Sequence, residues 1–466
     1  MVSFFARHTQ AQQRAASWLL VVLLPLLTAW LGLQAGLRHP QADALAILLG
    51  VLALWATQLL TPGVIALLNV LLLVLLDVMP VNEVVASLSS DGVLILFSLL
   101  VLSAAWISSG LGRRSTLLLL SALPDRPFWR MQGIMLSGAI HATWLPSPSA
   151  RLHLLRNTLA PLPARDGHAW FALWAGASLS ASWALAGKPG NVMAFGLFDS
   201  QTRLAFGWVQ WPIAASASIA LLWLAHTLAS HLYLPTSSTS AWRPMLREQL
   251  AIQGPMQRRE WGMLTIMVLL LLGILTAPIH KIPLAWLLLL LVALAQISVA
   301  PRLGLLWQRL DGSVLWMVAT VITWGPTLHA IGLDALLIRH AEPGISMLKH
   351  QLPTFMALWA LCVLMVRLLL PQRVAETVLL LCILPLAEAA GISQWVLAFV
   401  VLLLSDAEIF ACRSRAWRLW QRWLARSAPS VSSSQFGPWR YPLTMLAARL
   451  GAVSLSLPLW SALDIL

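Results

Sequence analysis

Long apolar runs without charged residues recur from one end of this sequence to the other. Examples span residues 18–37, 44–60, 92–109, 261–278 and 283–300. A run of about 20 apolar residues is long enough to cross the hydrocarbon core of a bilayer as an α-helix. Of the 466 residues, 59% are hydrophobic and 10% are charged, whereas soluble domains carry about 25% charged residues. The sequence therefore predicts an all-α polytopic membrane protein surrounded by lipid bilayer.

The basic residues are distributed unevenly between the predicted loops. If the spans alternate from a cytoplasmic N-terminus, the cytoplasmic loops contain Arg113, Arg114, Arg126, Arg130, Arg243, Arg247, Arg258, Arg259, Arg302, Arg309, Arg413, Arg415, Arg418, Arg422 and Arg426. This is the positive-inside distribution, and it predicts a multi-pass protein of an inner (plasma) membrane. It also accounts for the net charge of +13 without a nucleic-acid partner. The first run lacks a small-residue cleavage site, so we expect a retained helix and not a signal peptide.

Two apolar segments are interrupted near their centres. Residues 132–163 contain Pro146 and Pro148, and residues 355–391 contain Pro371. Broken backbone at membrane depth is tolerated only where it is buried in protein or lines a wet cavity. Corresponding interruptions in two halves of a chain indicate a transporter binding site. We interpret both segments as re-entrant helical hairpins; the alternative is that the prolines only kink ordinary helices.

The positions of these segments predict the domain organisation. Residues 1–233 form an N-terminal half, residues 234–259 form a polar and basic cytoplasmic linker, and residues 260–466 form a C-terminal half. The positive-inside distribution makes the two hairpins enter from opposite sides of the membrane. We therefore expect inverted repeats with two re-entrant hairpins and about 11 transmembrane helices.

Four stretches resemble the divalent anion/sodium symporter family of the ion transporter superfamily. They are ALAILLGVLALWATQLLTPGVIALLNVLLLVLLDVMPVNEV, LFSLLVLSAAWISSGLGRRSTLLLL, GKPGNVMAFG and LLLCILPLAEAAGIS. Length, helix order and orientation agree with that family, so the resemblance extends over nearly the whole chain. It implies a homodimer in which each protomer has a scaffold part and a moving transport part.

The resemblance also implies a substrate site at the two hairpin tips, where the family carries a Ser-Asn-Thr triplet. The first tip here reads Ser147-Pro148-Ser149 and the second reads Pro371-Gln372-Arg373. A half-helix N-terminus offers free N–H groups and partial positive charge to an anion. The candidate substrate-binding residues are Ser147, Ser149, Lys188, Asn191, Gln372 and Arg373. The cation-site region that the family would have corresponds to Gly187, Pro189 and Gly190.

Lys188 lies within the broken helix that follows the first hairpin. Charged side chains within membrane spans are rare and mark functional sites. The ammonium group would either occupy the place of a sodium ion or bind the anionic substrate directly. The alternative is a lysine at the rim of the cavity that snorkels to water.

At the second tip, an Arg–carboxylate pair would balance the local charge without sodium. The loop opposite Arg373 carries Asp406 and Glu408, and Glu376 lies one helical turn after the arginine. These three acidic residues are the candidate ion-pair partners of Arg373. In the alternative, Asp406 and Glu408 lie at a cytoplasmic helix end near Arg413 and do not meet Arg373.

The function that we expect is secondary active transport of a small anion, such as a dicarboxylate or sulfate, by alternating access. Because the altered tips fall on ligand and sodium positions of the family, sodium coupling would be weak or absent. A second class of function is a degenerate homologue that does not transport and acts as a membrane partner or regulatory subunit. No nucleotide loop, zinc spacing or catalytic triad is found, so we expect no enzyme, no metal site and no cofactor apart from a doubtful sodium ion.

Other polar residues near the tips have two interpretations. His141 and His153 flank the first tip and would serve either as helix–helix hydrogen bonders or as proton carriers. The cysteines Cys362, Cys382 and Cys412 show no pair spacing and are expected to be apolar filler.

Overall fold

The computed structural model describes residues 2–160, 167–233, 242–299, 312–407 and 440–466. Within these ranges every regular element is a helix, which confirms the predicted all-α class. Outside them lie the end of the predicted first hairpin (161–163), the first part of the predicted linker (234–241), Glu408 and Cys412.

In chain order the α-helices are α1 Val2–Gln34, α2 His39–Thr57, α3 Pro62–Leu75, α4 Val81–Leu88, α5 Asp91–Ser109, α6 Leu111–Ala122, α7 Pro127–Ala142, α8 Pro148–Leu159, α9 Gly167–Ser178, α10 Pro189–Leu197, α11 Ser200–Ala205, α12 Gln210–Tyr233, α13 Arg243–Gln253, α14 Arg258–Leu275, α15 Ala277–His280, α16 Leu284–Ser298, α17 Gly312–Ala330, α18 Leu333–His340, α19 Glu342–His350, α20 Leu352–Leu369, α21 Gln372–Ala390, α22 Gln394–Ser405 and α23 Arg440–Ala462.

Several of these helices have the length and composition of membrane spans. Among the described residues, six segments qualify: Arg14–Gln34, His39–Thr57, Val81–Ser109, Gln210–Tyr233, Leu352–Leu369 and Arg440–Ala462. A seventh results if α17 and α18, which are bent by 75° at the break between them, form one span. The shorter helices α3, α16 and α22 are also apolar. The chain is therefore a polytopic helical membrane protein, and the number of about eleven spans stays a prediction.

The chain divides into two compact units, and each unit draws on both halves of the sequence. The first contains Met1–Val93 and Asp311–Gln394, and the second contains Leu94–Leu310 and Trp395–Leu466. Within the first unit, α1 packs on α2, and α17 packs on α3 and α4. Within the second unit, α7 packs on α9, α12 on α23, and α14 on α16.

The first predicted hairpin is found where its prolines indicated. Helix α7 ends at Ala142, a short turn contains Pro146, and α8 begins at Pro148. The two helices contact each other, and both pack on α9. Gly138 of α7 lies against Gly176 of α9, because a Cβ atom at Gly138 would overlap the main chain of Gly176. The hairpin is thus held against α9 by backbone contact.

The helix after this hairpin is broken, as GKPGN predicted. Helix α9 ends at Ser178, and two short 3-10 turns, Leu179–Ala181 and Leu185–Gly187, precede α10.

The second predicted hairpin, in the first unit, also has a turn between two helices: α20 ends at Leu369, and Pro371 is the N-cap of α21. Proline has no N–H to continue a helix, but it fits the start of the next one.

The start of α13 is anchored to the loop between α6 and α7. The carboxylate of Asp125 accepts the backbone N–H groups of Trp242 at 2.9 Å and Arg243 at 3.0 Å. Arg130 donates to the same carboxylate at 2.8 Å, and its guanidinium lies 5.1 Å from the ring centre of Trp242. Burial alone would raise the pKa of Asp125, but the hydrogen bonds from Arg243, Arg130 and Trp242 outweigh burial and lower the pKa below its ordinary value.

Candidate functional site

The first hairpin tip carries two serine hydroxyls at the start of α8. Ser147 is the N-cap, and its side chain accepts the backbone N–H of Ala150 at 3.3 Å. Its hydroxyl also lies 2.9 Å from the hydroxyl of Ser149. Both serines are half-buried. The preference of serine for N-cap positions explains why this tip folds as it does, and half-burial leaves the hydroxyls partly accessible.

Arg151, in the first turn of α8, connects this tip to the broken helix. Its side chain is fully buried, and it donates to the carbonyl oxygens of Leu145 in the tip and Gly187 in the broken helix, the latter at 2.7 Å. Two further hydrogen bonds, at 3.2 and 2.7 Å, reach the carbonyl of Ala177 in the last turn of α9. A guanidinium group offers five donors in a fixed planar arrangement. One side chain therefore fixes the positions of three backbone segments.

The broken helix is tightly folded around its glycine and asparagine. A Cβ atom at Gly187 would overlap the carbonyl oxygen of Ala181, so only glycine fits there. Asn191 is fully buried, and its amide nitrogen donates to the carbonyls of Ala181 at 2.9 Å and Ala184 at 2.7 Å. Its side-chain oxygen is buried without a hydrogen-bond partner among the described residues. Asn191 thus closes the loop with its donor side and leaves its acceptor side unused.

Lys188 is buried in the same loop and forms an ion pair. It is 3% exposed, and its Nζ lies 2.8 Å from Oδ1 of Asp406 and 2.7 Å from the carbonyl oxygen of Leu402. The other carboxylate oxygen of Asp406 accepts the hydroxyl of Ser182 at 2.9 Å. This burial is incompatible with the alternative in which Lys188 snorkels to water.

The partner of Lys188 lies at the C-terminal end of α22. Unpaired carbonyls at a helix C-terminus carry partial negative charge, which favours cations nearby. Lys188 donates to Leu402, and Arg449 of α23 donates to the next carbonyl, Leu403, at 2.7 Å. Asp406 also lies within electrostatic range of Arg151. Lys188 and Arg449 therefore both bind carbonyl groups at the C-terminal end of α22, and Lys188 is also paired there with Asp406.

The predicted residues of the second tip lie in the first unit. Arg373 is exposed, whereas Glu376 is buried. The side chain of Gln372 donates to Glu376 at 3.1 Å. Of the carboxylates expected beside Arg373, Asp406 is engaged by Lys188 in the second unit, and Glu408 lies outside the described residues.

His141 adopts the role of a helix–helix hydrogen bonder. It is buried in α7, and its Nε2 lies 2.9 Å from the hydroxyl of Thr116 in α6. Its ring also makes an edge contact with Trp106 at a centroid distance of 5.8 Å. His153 is exposed on α8.

The structure thus brings together the candidates of the first half. Ser147, Ser149, Gly187, Lys188, Pro189, Gly190 and Asn191 all lie at the first tip or in the adjoining broken helix. Arg151 and the pairing of Lys188 with Asp406 were missed by the sequence analysis. A signal for Arg151 existed, since it is a charged residue two positions after Ser149 in an otherwise interrupted apolar segment.

Comparison with known proteins finds a family similarity over part of the chain. Residues 12–161, which include the first hairpin tip, match the family described as "Sodium:sulfate symporter transmembrane region". The matched residues are similar to that transmembrane region and make up less than half of the chain. This agrees with the resemblance found in the sequence.

Curated relatives match a shorter part of the chain. The L-tartrate/succinate antiporter of Shigella dysenteriae serotype 1 (strain Sd197) is 28% identical over 201 residues, which are 40% of this chain and 41% of that protein. The citrate/succinate antiporter of Escherichia coli (strain K12) is 25% identical over 209 residues, 41% and 42% of the two chains. The matched region therefore spans less than half the length of either relative. Both relatives are transporters and not enzymes, in agreement with the prediction of a non-enzyme.

A solved structure supports the fold. The YdaH transporter of Alcanivorax borkumensis, described as having an unusual topology, superposes with a TM-score of 0.54 at 17% sequence identity. The superposition covers 79% of this chain and 85% of that chain. At this identity the likeness concerns the fold alone.

Proposed function

We propose that this protein is a secondary transporter of small dicarboxylate-type anions that works by exchange or uniport and does not couple transport to sodium at its first hairpin. The observation that carries the proposal is the buried ion pair of Lys188 with Asp406. Arg151 connects Gly187, the residue before Lys188, to Leu145 in the tip that bears the two serines. The two curated relatives are named an L-tartrate/succinate antiporter and a citrate/succinate antiporter, and succinate is common to both names.

The lack of sodium coupling follows from what surrounds the ammonium group. A carbonyl oxygen, a carboxylate oxygen and a nearby hydroxyl are the kind of oxygen ligands that bind hard cations. In this chain the Nζ of Lys188 already contacts Leu402 O and Asp406 Oδ1. A covalently attached cation supplies the positive charge that sodium would bring, so no ion has to enter the site. Lys188 is in this view a replacement for the ion and not a direct ligand of the substrate.

The anion would be held by the groups that the loop leaves available. These are the half-buried hydroxyls of Ser147 and Ser149, the N-terminal N–H groups of α8 and α10, and the positive charge of Arg151 in the first turn of α8. Donors and positive charge at helix N-termini favour anions. In the first unit, Gln372 and Arg373 stay candidate substrate ligands, and the side chain of Arg373 is exposed.

Further parts of the proposal are the assembly and the orientation. We expect the protein to form a homodimer in an inner membrane. We also expect its N-terminus to be cytoplasmic, because the arginine-rich loops would then lie in the cytoplasm. Cysteine-labelling of intact cells at either end of the chain tests the orientation.

The experiment is counterflow in proteoliposomes. Vesicles are loaded with unlabelled succinate, and the entry of labelled succinate, L-tartrate or sulfate is measured. We expect rapid entry of labelled succinate that depends on internal dicarboxylate, and its loss in a Ser147→Ala, Ser149→Ala variant. The matched control is Ser454→Ala in α23, an exposed serine whose hydroxyl donates to Leu450 in the same helix.

Absence of entry for all three anions in vesicles whose protein is folded would contradict the proposal. It would favour the degenerate homologue that acts as a membrane partner. Folding is established separately from the elution profile and the unfolding temperature of the detergent-solubilised protein.

A further inference from the structure

A cavity of about 450 Å³ lies in the second unit beside α8, and the function proposed above does not use it. Its volume is in the range of about 300–1,000 Å³ that is typical of small-molecule sites. Its walls include Gly110, Arg113, Ala150, His153, Asn157 and Thr158. None of the residues that line it is acidic.

The cavity occupies one face of α8, and the site at the first tip uses another. Ala150, His153 and Asn157 follow each other at spacings of three and four residues, which place them on one side of a helix. Arg151 lies between them in sequence but is fully buried and bonded to the broken helix. His153 and Asn157 are exposed. Helix α8 therefore separates a structural arginine from a polar, accessible face.

Two neighbouring arginines show why the cavity is cationic. Arg114 is neutralised: its Nε and Nη2 contact the carboxylate of Glu260 at 2.6 and 3.1 Å, and Nη2 also donates to Gly254 O at 2.9 Å. Arg113, which lines the cavity, donates only to the amide oxygen of Gln249, at 2.8 Å. Its Nε is buried without a hydrogen-bond partner among the described residues. The positive charge of Arg113 thus has no carboxylate partner in the described part of the chain.

We propose that this cavity is a second anion-binding site, which takes a small carboxylate through the guanidinium group of Arg113 and the side chain of His153, with Asn157 in its wall. The choice of a carboxylate rests on the proposed function, whereas the site itself rests on the cavity and its unpaired arginine. Arg–carboxylate contacts are among the stronger charge-assisted hydrogen bonds. The backbone N–H of Ala150, in the cavity wall, bonds to Ser147 at the first tip. His153 and Asn157 lie about two and three helical turns after Ser147, so the cavity and the tip share α8 and the cavity would attract anions to that helix.

The test measures access and protection without requiring transport. Cys362, Cys382 and Cys412 are replaced by serine, and Asn157→Cys is introduced. Its reaction rates with an anionic (sulfonatoethyl) and a cationic (trimethylammonioethyl) methanethiosulfonate reagent are compared. We expect the anionic-to-cationic rate ratio to fall by about 5-fold when Arg113→Gln is added, as expected for loss of one nearby charge. Ala160→Cys, at the exposed end of the same helix, is the matched control, and its ratio stays unchanged.

Protection of the introduced cysteine from labelling identifies the chemical class of the ligand. Succinate slows the labelling of Asn157→Cys in the Arg113-containing protein but not in the Arg113→Gln variant, and the uncharged succinamide has no effect in either. If succinate gives no protection, or if Arg113→Gln leaves both the protection and the rate ratio unchanged, the site is refuted. Failure of counterflow with intact protection would refute the proposed transport and not this site, so the two failures are distinguishable.

Discussion

The two hairpin tips begin with the same backbone device and end with different chemistry. At both, a proline starts the second helix after a break: Pro148 in the second unit and Pro371 in the first. The first tip is built into a buried polar network, in which Arg151 is fully buried and Lys188 is 3% exposed. At the second tip the cation, Arg373, is exposed. The cations at the first tip therefore stabilise the structure, whereas the cation at the second tip is accessible to a ligand.

The largest effect in this comparison is expected for Arg151→Met. Methionine has a similar length but no donors, so the carbonyl groups of Leu145, Ala177 and Gly187 lose their partner. Each buried unsatisfied polar group costs about 1–3 kcal/mol, so we expect a loss of at least about 3 kcal/mol in the free energy of unfolding. The unfolding temperature in detergent measures it, and a variant as stable as the wild type would contradict the structural role of Arg151.

The ion pair of Lys188 with Asp406 is expected to give a further large effect on stability. Lys188→Met or Asp406→Leu alone leaves one buried charge uncompensated, which costs about 3–5 kcal/mol. The double variant removes both charges and is expected to recover most of that stability, but not counterflow. A double-mutant cycle of unfolding temperatures checks the coupling, and additive effects would show that the two side chains do not depend on each other.

Backbone crowding gives a smaller effect at the first tip. Gly187→Ala forces a Cβ atom onto the carbonyl oxygen of Ala181, and overpacking of this kind costs about 1–3 kcal/mol. Gly344→Ala in α19 of the first unit is the matched control, because nothing lies within 4 Å of its Cβ position. There we expect no loss, since alanine is the better helix former. Equal unfolding temperatures of the two variants would argue against the tight loop.

Arg373→Gln should have the smallest effect on stability. Substitutions of exposed residues usually change the free energy of unfolding by no more than about 0.5 kcal/mol. If the arginine meets the substrate, the variant nevertheless needs a higher succinate concentration for half-maximal counterflow. If the variant is strongly destabilised and its dependence on succinate concentration is unchanged, Arg373 has a structural role and not a ligand-binding role.

The sequence predicted where the helices are broken, but it did not predict which residues the buried cations contact. Proline and glycine act locally, so Pro146, Pro371 and GKPGN were sufficient to place both hairpin turns and the broken helix. The Lys188–Asp406 pair joins residues 218 positions apart, and no local pattern indicates such a contact. Lys188 is therefore recognisable in the sequence as an unusual residue, whereas Asp406 is expected there to pair with a different cation, Arg373. Arg151 was overlooked because its partners are backbone carbonyls, which no side-chain motif reveals.

The most direct test of the account is the effect of sodium on succinate counterflow by the wild-type protein. Vesicles are prepared with sodium or with choline on both sides, and a third set carries an inward sodium gradient. Because the ammonium group of Lys188 supplies the cation, the account predicts equal rates in all three sets and loss of counterflow in Lys188→Thr. Uptake that requires sodium, and that persists in Lys188→Thr, would contradict it.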